Sequence, residues 1–128
     1  MTLEEAIRRA EQIMPGTDVP DGETDPVWQA IIKVSMFIET NPKELWAFIS
    51  QWGSCDDENV RTAVATLALE HFLEFHFEDY FSLVEELVKS DRYFADTFAR
   101  CWKFGQAQAP ENAARFDRLQ QFCSAGAG

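Results

Sequence analysis

Residues 54–64 read SCDDENVRTAV, an acidic turn that leads directly into an amphipathic helix. Asp56, Asp57 and Glu58 stand where the helix begins, and the helix dipole favours negative charge at that end. Val60 and Val64 follow at the spacing of one helical face. The stretch therefore predicts a helix that starts near residue 57 and turns both valines towards a core.

The same helical spacing of apolar residues continues on both sides of this stretch, with Gly and Pro between the segments. It predicts seven helices at about residues 3–13, 26–39, 42–52, 57–76, 78–88, 92–104 and 110–119. The sixth is expected to turn Phe94, Phe98, Cys101 and Trp102 towards the core. A polar loop is expected at 17–24. We predict one all-helical domain over residues 1–123, followed by a flexible C-terminal tail at residues 124–128.

The spacing of this stretch is repeated later in the chain. Asp57, Val60, Val64 and Leu67 are matched at the same spacing by Asp91, Phe94, Phe98 and Cys101. Each copy follows an apolar helix and opens a second helix after a tight turn. Such duplication is typical of helical repeat proteins, in which each hairpin buries its apolar face against the next one.

The first copy resembles the HEAT repeat, in which an Asp in the turn precedes Val-Arg, small residues and a Leu. The resemblance covers about residues 42–104 and implies a HEAT-like stack of antiparallel helical hairpins, an α-α superhelix. It implies that Asp56 or Asp57 caps the second helix and that Val60 inserts between the paired helices. It also implies that Arg61 pairs with acidic groups of a neighbouring turn. The second copy departs from this pattern, because Ala95 stands at the position of Arg61.

Composition narrows the classes of partner. A net charge of −11 disfavours nucleic acid, because phosphate binding requires clustered Lys and Arg. No apolar run is long enough to span a bilayer, and the N-terminus lacks the apolar segment of a signal peptide. We therefore expect a cytoplasmic protein that contacts neither nucleic acid nor membrane. Three dispersed cysteines, Cys55, Cys101 and Cys123, are expected to be reduced thiols.

One cluster of titratable side chains stands out. Glu70, Glu74 and Glu78 repeat every fourth residue, and His71 lies beside the first two. A metal site needs His and carboxylate ligands on one face, but His76 is out of register with His71 and no second ligand helix can be named. We therefore expect Glu70, His71, Glu74 and Glu78 to form an interaction surface rather than a metal site.

No nucleophile motif, phosphate-binding loop or cofactor motif is present, so the sequence predicts neither catalytic, cofactor-binding nor metal-binding residues. The leading hypothesis is a protein-interaction or structural module, not an enzyme, whose partner is another protein. One alternative is an immunity or antitoxin-like protein that neutralises a basic partner by charge complementarity. A second is a metal-dependent enzyme that uses Glu70, His71 and Glu74. Association of two copies as a homodimer also stays open.

Overall fold

The computed structural model describes residues 2–14 and 25–126, apart from the side chains of residues 125 and 126. Within these ranges the chain forms helices and connecting turns and contains no strand, so the all-helical prediction is confirmed. The helices are α1 (Leu3–Ile13), α2 (Pro26–Ser35), α3 (Pro42–Trp52), α4 (Glu58–Ala63), α5 (Glu70–Ser90), α6 (Arg92–Ala99) and α7 (Pro110–Gly126).

Two of these helices belong to one rod, because a π-helical turn at Val64–Leu69 joins α4 to α5 without a break. A 3₁₀ turn at Gly105–Gln108 precedes α7. The described residues therefore contain six separate α-helical rods and not seven. The helix break predicted at 76–78 is instead a kink inside α5.

Other predicted boundaries also shift. Helix α6 ends at Ala99 and does not continue to residue 104. Helix α7 continues to Gly126, so residues 124–126 of the predicted tail are helical. The remainder of that tail, at 127–128, and the predicted loop at 17–24 lie outside the described residues.

The rod formed by α4, the π turn and α5 organises the core. Helices α2, α3, α6 and α7 all pack against it. Its aromatic side chains pack on one another and on those of neighbouring helices. The ring centres of Phe77 and Phe81, both in α5, lie 4.2 Å apart, and those of Phe81 and Phe98 in α6 lie 6.0 Å apart. Aromatic pairs of this kind contribute about 0.5–1.5 kcal/mol beyond their area burial. The largest fully buried side chains are Phe72, Phe77, Phe81, Phe94, Phe98 and Phe116.

The kink in α5 lies at His76, where φ is −131° and ψ is 24°. The ring nitrogen Nε2 of His76 lies 2.7 Å from the carbonyl oxygen of Ile38, in the turn between α2 and α3. Because a carbonyl oxygen only accepts, this ring nitrogen donates. At the kink, His76 therefore connects the rod to the α2–α3 turn through this hydrogen bond.

Gln106, in the 3₁₀ turn before α7, forms hydrogen bonds on both sides of the kink in α5. Its Nε2 donates to the carbonyl of Phe75 at 2.7 Å, and its Oε1 accepts from the backbone N–H of Glu78 at 3.4 Å. These backbone groups flank the residue whose dihedral angles interrupt the helix. One side-chain amide therefore serves an acceptor before the kink and a donor after it.

Replacing Gln106 with Met keeps the length of the side chain and removes both hydrogen bonds. We expect the free energy of unfolding to fall by about 1 kcal/mol, since these bonds are partly solvated. Urea denaturation measures the change. Gln121→Met, at an exposed position of α7, is the matched control and should shift the midpoint little. Equal midpoints for the two variants would contradict the bridging role of Gln106.

Candidate functional site

The start of α4 has the cap and the buried face that its sequence predicts. Asp57 is the N-cap residue, and its carboxylate accepts from the backbone N–H of Val60 at 3.0 Å. Val60 and Val64 are fully buried. Of the two aspartates that could cap the helix, Asp57 is the one that does so, and Asp56 is left in the exposed turn.

Arg61 is a buried cation that joins three parts of the fold. Only 8% of its surface is exposed. Its Nε donates to Asp96 in α6 at 3.0 Å, and its Nη1 donates to the carbonyl of Cys55 at 3.1 Å. The guanidinium carbon lies 5.0 Å from the centre of the Tyr93 ring. The acidic partner expected in a neighbouring turn lies instead within a helix, because α6 packs directly on α4.

Asp96 extends this ion pair into a chain of contacts. Arg100 donates from its Nε to the same oxygen of Asp96 at 3.1 Å, and it reaches Thr62 and Glu58 on α4. Partial burial raises the pKa of Asp96, but the hydrogen bonds from Arg61 and Arg100 outweigh it and hold that pKa below its usual range. A charged carboxylate therefore links two arginines at the α4–α6 contact.

Residues 101–106, which we call the strap, pack against the predicted interaction surface of Glu70, His71, Glu74 and Glu78. This segment leaves the end of α6 and runs along α5. The contacts in chain order are Cys101 with Ala65, Trp102 with Glu70, Phe104 with His71, Gly105 with Glu74, and Gln106 with Phe75 and Glu78.

Gly105 allows the strap to lie close against α5. Its φ is +52°, a conformation that side chains with a Cβ rarely adopt. A Cβ at this position would also lie 2.6 Å from the carbonyl oxygen of Glu74. Glycine is therefore required for the strap to lie against the helix.

Glu70 is a buried carboxylate on α5 that binds the backbone of the strap. Only 8% of its surface is exposed, and its Oε2 accepts from the backbone N–H of Trp102 at 2.8 Å. Burial raises the pKa of Glu70, while the Trp102 hydrogen bond and nearby His71 oppose that rise. Glu70 therefore acts in positioning the strap and is not part of the accessible surface predicted for it.

His71 lies between two carboxylates that approach different ring nitrogens. Nδ1 is 3.1 Å from Glu74, Nε2 is 3.9 Å from Glu70, and Phe104 stacks on the ring at 5.4 Å between centres. Metal ligands have to converge on one point, which these groups do not. Across residues 2–14 and 25–126, no group of three His, Cys, Asp or Glu side chains is placed to hold a metal ion.

The three thiols are shielded to different degrees. The sulfur of Cys101 lies 3.6 Å from two backbone carbonyl oxygens, and burial raises the pKa of this thiol well above its usual value. Burial also raises the pKa of the Cys55 and Cys123 thiols. All three are free thiols, and their raised pKa values favour the protonated form at neutral pH.

Trp102 is an exposed aromatic side chain on a backbone held from both sides. Its side chain projects into solvent, leaving 69% of the residue surface exposed. Glu70 holds its N–H, and the carbonyl of the preceding Cys101 accepts from Gln120 Nε2 at 2.8 Å. The structure thus presents a large apolar side chain to solvent from a fixed position.

Sequence reasoning missed this feature and placed Trp102 in the core. Phe98, Cys101 and Trp102 share helical spacing, which predicts a continuous α6. The helix instead tightens into i→i+3 bonds, from Arg100 N–H to Thr97 and from Cys101 N–H to Phe98, and then ends. The glycine at 105 was the only local signal, and it lies too far along the chain to mark the end of the helix.

Comparison with known proteins gives no assignment. No family model matches the chain, and no curated protein or solved structure matches it. In the part of the chain that the structure describes, every helix is too short or too polar to cross a lipid bilayer.

The burial of the Glu70 carboxylate predicts how the stability of the fold changes with pH. Because its pKa is raised in the folded state, its stabilising contribution is present below the pKa of the unfolded chain and is lost as the pH rises through the folded pKa. Glu70→Gln keeps an acceptor for Trp102 but cannot ionise. We expect the stability of this variant relative to the wild type to increase between pH 4 and pH 7, measured by urea denaturation.

Glu86→Gln is the control for this prediction, since Glu86 lies exposed on the same helix. The difference between this variant and the wild type should change much less over the same pH range. A Glu70→Gln variant that loses stability relative to the wild type as the pH rises would show that ionised Glu70 is net stabilising.

Proposed function

We propose that the chain is a protein-interaction module built as a short HEAT-like stack of helical hairpins. Two series of packed helices support this arrangement. Helices α2, α4 and α6 contact one another in succession, and so do α3, α5 and α7. A stack of hairpins produces this alternation, with the first helix of each pair in one layer and the second helix in the other.

The duplicated turn supports the same arrangement. Asp91 caps α6 as Asp57 caps α4, and it accepts from the backbone N–H groups of Tyr93 and Phe94. The kink at His76 divides the central rod into a second helix of one hairpin and a first helix of the next. In the proposed stack the two parts of this rod on either side of the kink act as separate helices, although the described chain forms six continuous rods.

The observation that carries the functional proposal is the exposed and positioned side chain of Trp102. Leaving a Trp in water forgoes the free energy of its burial, about 25 cal/mol for each Å² of apolar surface. Tryptophan is also enriched at the energetic centres of protein interfaces. Because Glu70 and Gln120 already fix the backbone here, a partner that buries Trp102 has less ordering cost to overcome.

The site is better suited to binding than to chemistry. Glu70 holds the backbone N–H of Trp102, Glu74 holds His71, and the thiol of Cys101, the first residue of the strap, is buried. Glu70 and Gly105 position the strap, whereas Trp102, Glu74 and Glu78 remain at the surface. We therefore assign Trp102 as the residue that contacts the partner and Glu70 as the residue that positions it.

The proposal is tested by placing a photoreactive benzoylphenylalanine at position 102 and irradiating the cells that naturally make this protein. We expect a covalent adduct with another protein, because a buried interface residue lies within bonding distance of its partner. Mass spectrometry of the purified adduct identifies the protein. The same probe at Met36 is the control, since Met36 follows the last residue of α2 and is 77% exposed.

Identical adducts at positions 102 and 36, or none at 102, would contradict the proposal. Stability provides a second check. Trp102→Ala should change the free energy of unfolding by less than about 0.5 kcal/mol, because the side chain it removes is largely solvated. A large loss of stability would show that Trp102 serves the fold and is not held available for a partner.

A further inference from the structure

We infer that the partner of this surface presents a basic segment, whose Lys or Arg side chains pack on Trp102 and pair with Glu74 and Glu78. The inference rests on the proposed function and adds the chemistry of the partner to it.

The strap places Trp102 at one end of a row of carboxylates. Trp102 meets the carboxylate of Glu70, Gly105 lies against Glu74 four residues further along, and Gln106 accepts from the backbone N–H of Glu78, just beyond the kink. The side chain of Glu74 is 32% exposed, and Glu78 is exposed. A segment that covers Trp102 and continues along the strap therefore passes these two carboxylates.

The cations beside Trp102 are already engaged. Lys103 meets Asp117 at 2.6 Å, and Arg100 is held by Asp96 and Glu58. Every Lys and Arg of the chain lies in the described ranges.

None of these cations forms an ion pair with Glu70, Glu74 or Glu78 within residues 2–14 and 25–126. In the described part of the chain, the basic side chain that contacts Glu70 and Glu74 is the imidazole of His71, and Glu78 has no such contact. The surface along the strap therefore carries uncompensated negative charge.

An indole next to carboxylates suits a lysine or arginine side chain. The ring face attracts a cation, and Arg in particular combines stacking on an aromatic ring with paired hydrogen bonds to a carboxylate. Nucleic acid and anionic lipid surfaces carry the charge that this surface repels. The overall charge of −11 acts in the same direction, because it increases the encounter rate with a basic partner.

The experiment is a selection of short random peptides, displayed on phage, against the immobilised full-length chain. Peptides that also bind the Trp102→Ala variant are removed by counter-selection. We expect the remaining peptides to be enriched in Lys and Arg. Measured by fluorescence polarisation, their affinity should fall about tenfold or more on Trp102→Ala and should weaken as salt is added.

Charge variants separate the local carboxylates from the overall charge. Glu74→Gln with Glu78→Gln should lower the affinity of the selected peptides and reduce its salt dependence. Glu11→Gln with Glu86→Gln changes the net charge equally at exposed sites away from the strap, so it should have a much smaller effect. Equal effects of the two pairs would overturn the assignment to Glu74 and Glu78.

The outcomes also distinguish the two proposals. Trp102-dependent peptides without excess positive charge would overturn the basic partner and leave the protein-interaction site standing. A selection that yields no Trp102-dependent peptide would overturn both. Basic peptides that lose binding with Trp102→Ala and with the Glu74/Glu78 pair would support both.

Discussion

The guanidinium of Arg61 is buried between the α3–α4 turn, α4 and α6, and a charge in that position has to be paired. Removing one partner of a buried pair commonly costs several kcal/mol, because the remaining charge stays desolvated. Arg61 meets this requirement with Asp96, the carbonyl of Cys55 and the ring of Tyr93. The position of α6 on α4 is therefore set by a charge as well as by apolar packing.

The placement of α6 determines the placement of everything that follows it. Arg100, at the end of α6, is held to α4 through Thr62 and Glu58, so the chain leaves the helix at a fixed point. From there the strap follows α5, Glu70 receives the N–H of Trp102, and Gln106 closes over the kink. The position of Trp102, the proposed binding residue, therefore depends on a series of contacts that begins at Arg61.

Local features of this fold could be predicted from sequence and long-range ones could not. The acidic cap and the valine spacing at 57–64 depend only on neighbouring residues, so the start of α4 was predictable. Helix α6 ends because its last turn closes with i→i+3 hydrogen bonds and because Arg100 contacts α4. Its apolar spacing, by contrast, continues to Trp102 and predicts a longer helix. The burial of Glu70 was missed for the same reason, since the segment that covers it lies about thirty residues away.

A double-mutant cycle measures whether the Arg61–Asp96 pair couples α4 to α6. Urea denaturation of the wild type, Arg61→Met, Asp96→Asn and the double variant gives the coupling free energy. We predict a coupling of about 1 kcal/mol or more, with the double variant less destabilised than the sum of the single ones. Additivity to within about 0.3 kcal/mol would contradict it, because the two side chains would then contribute independently.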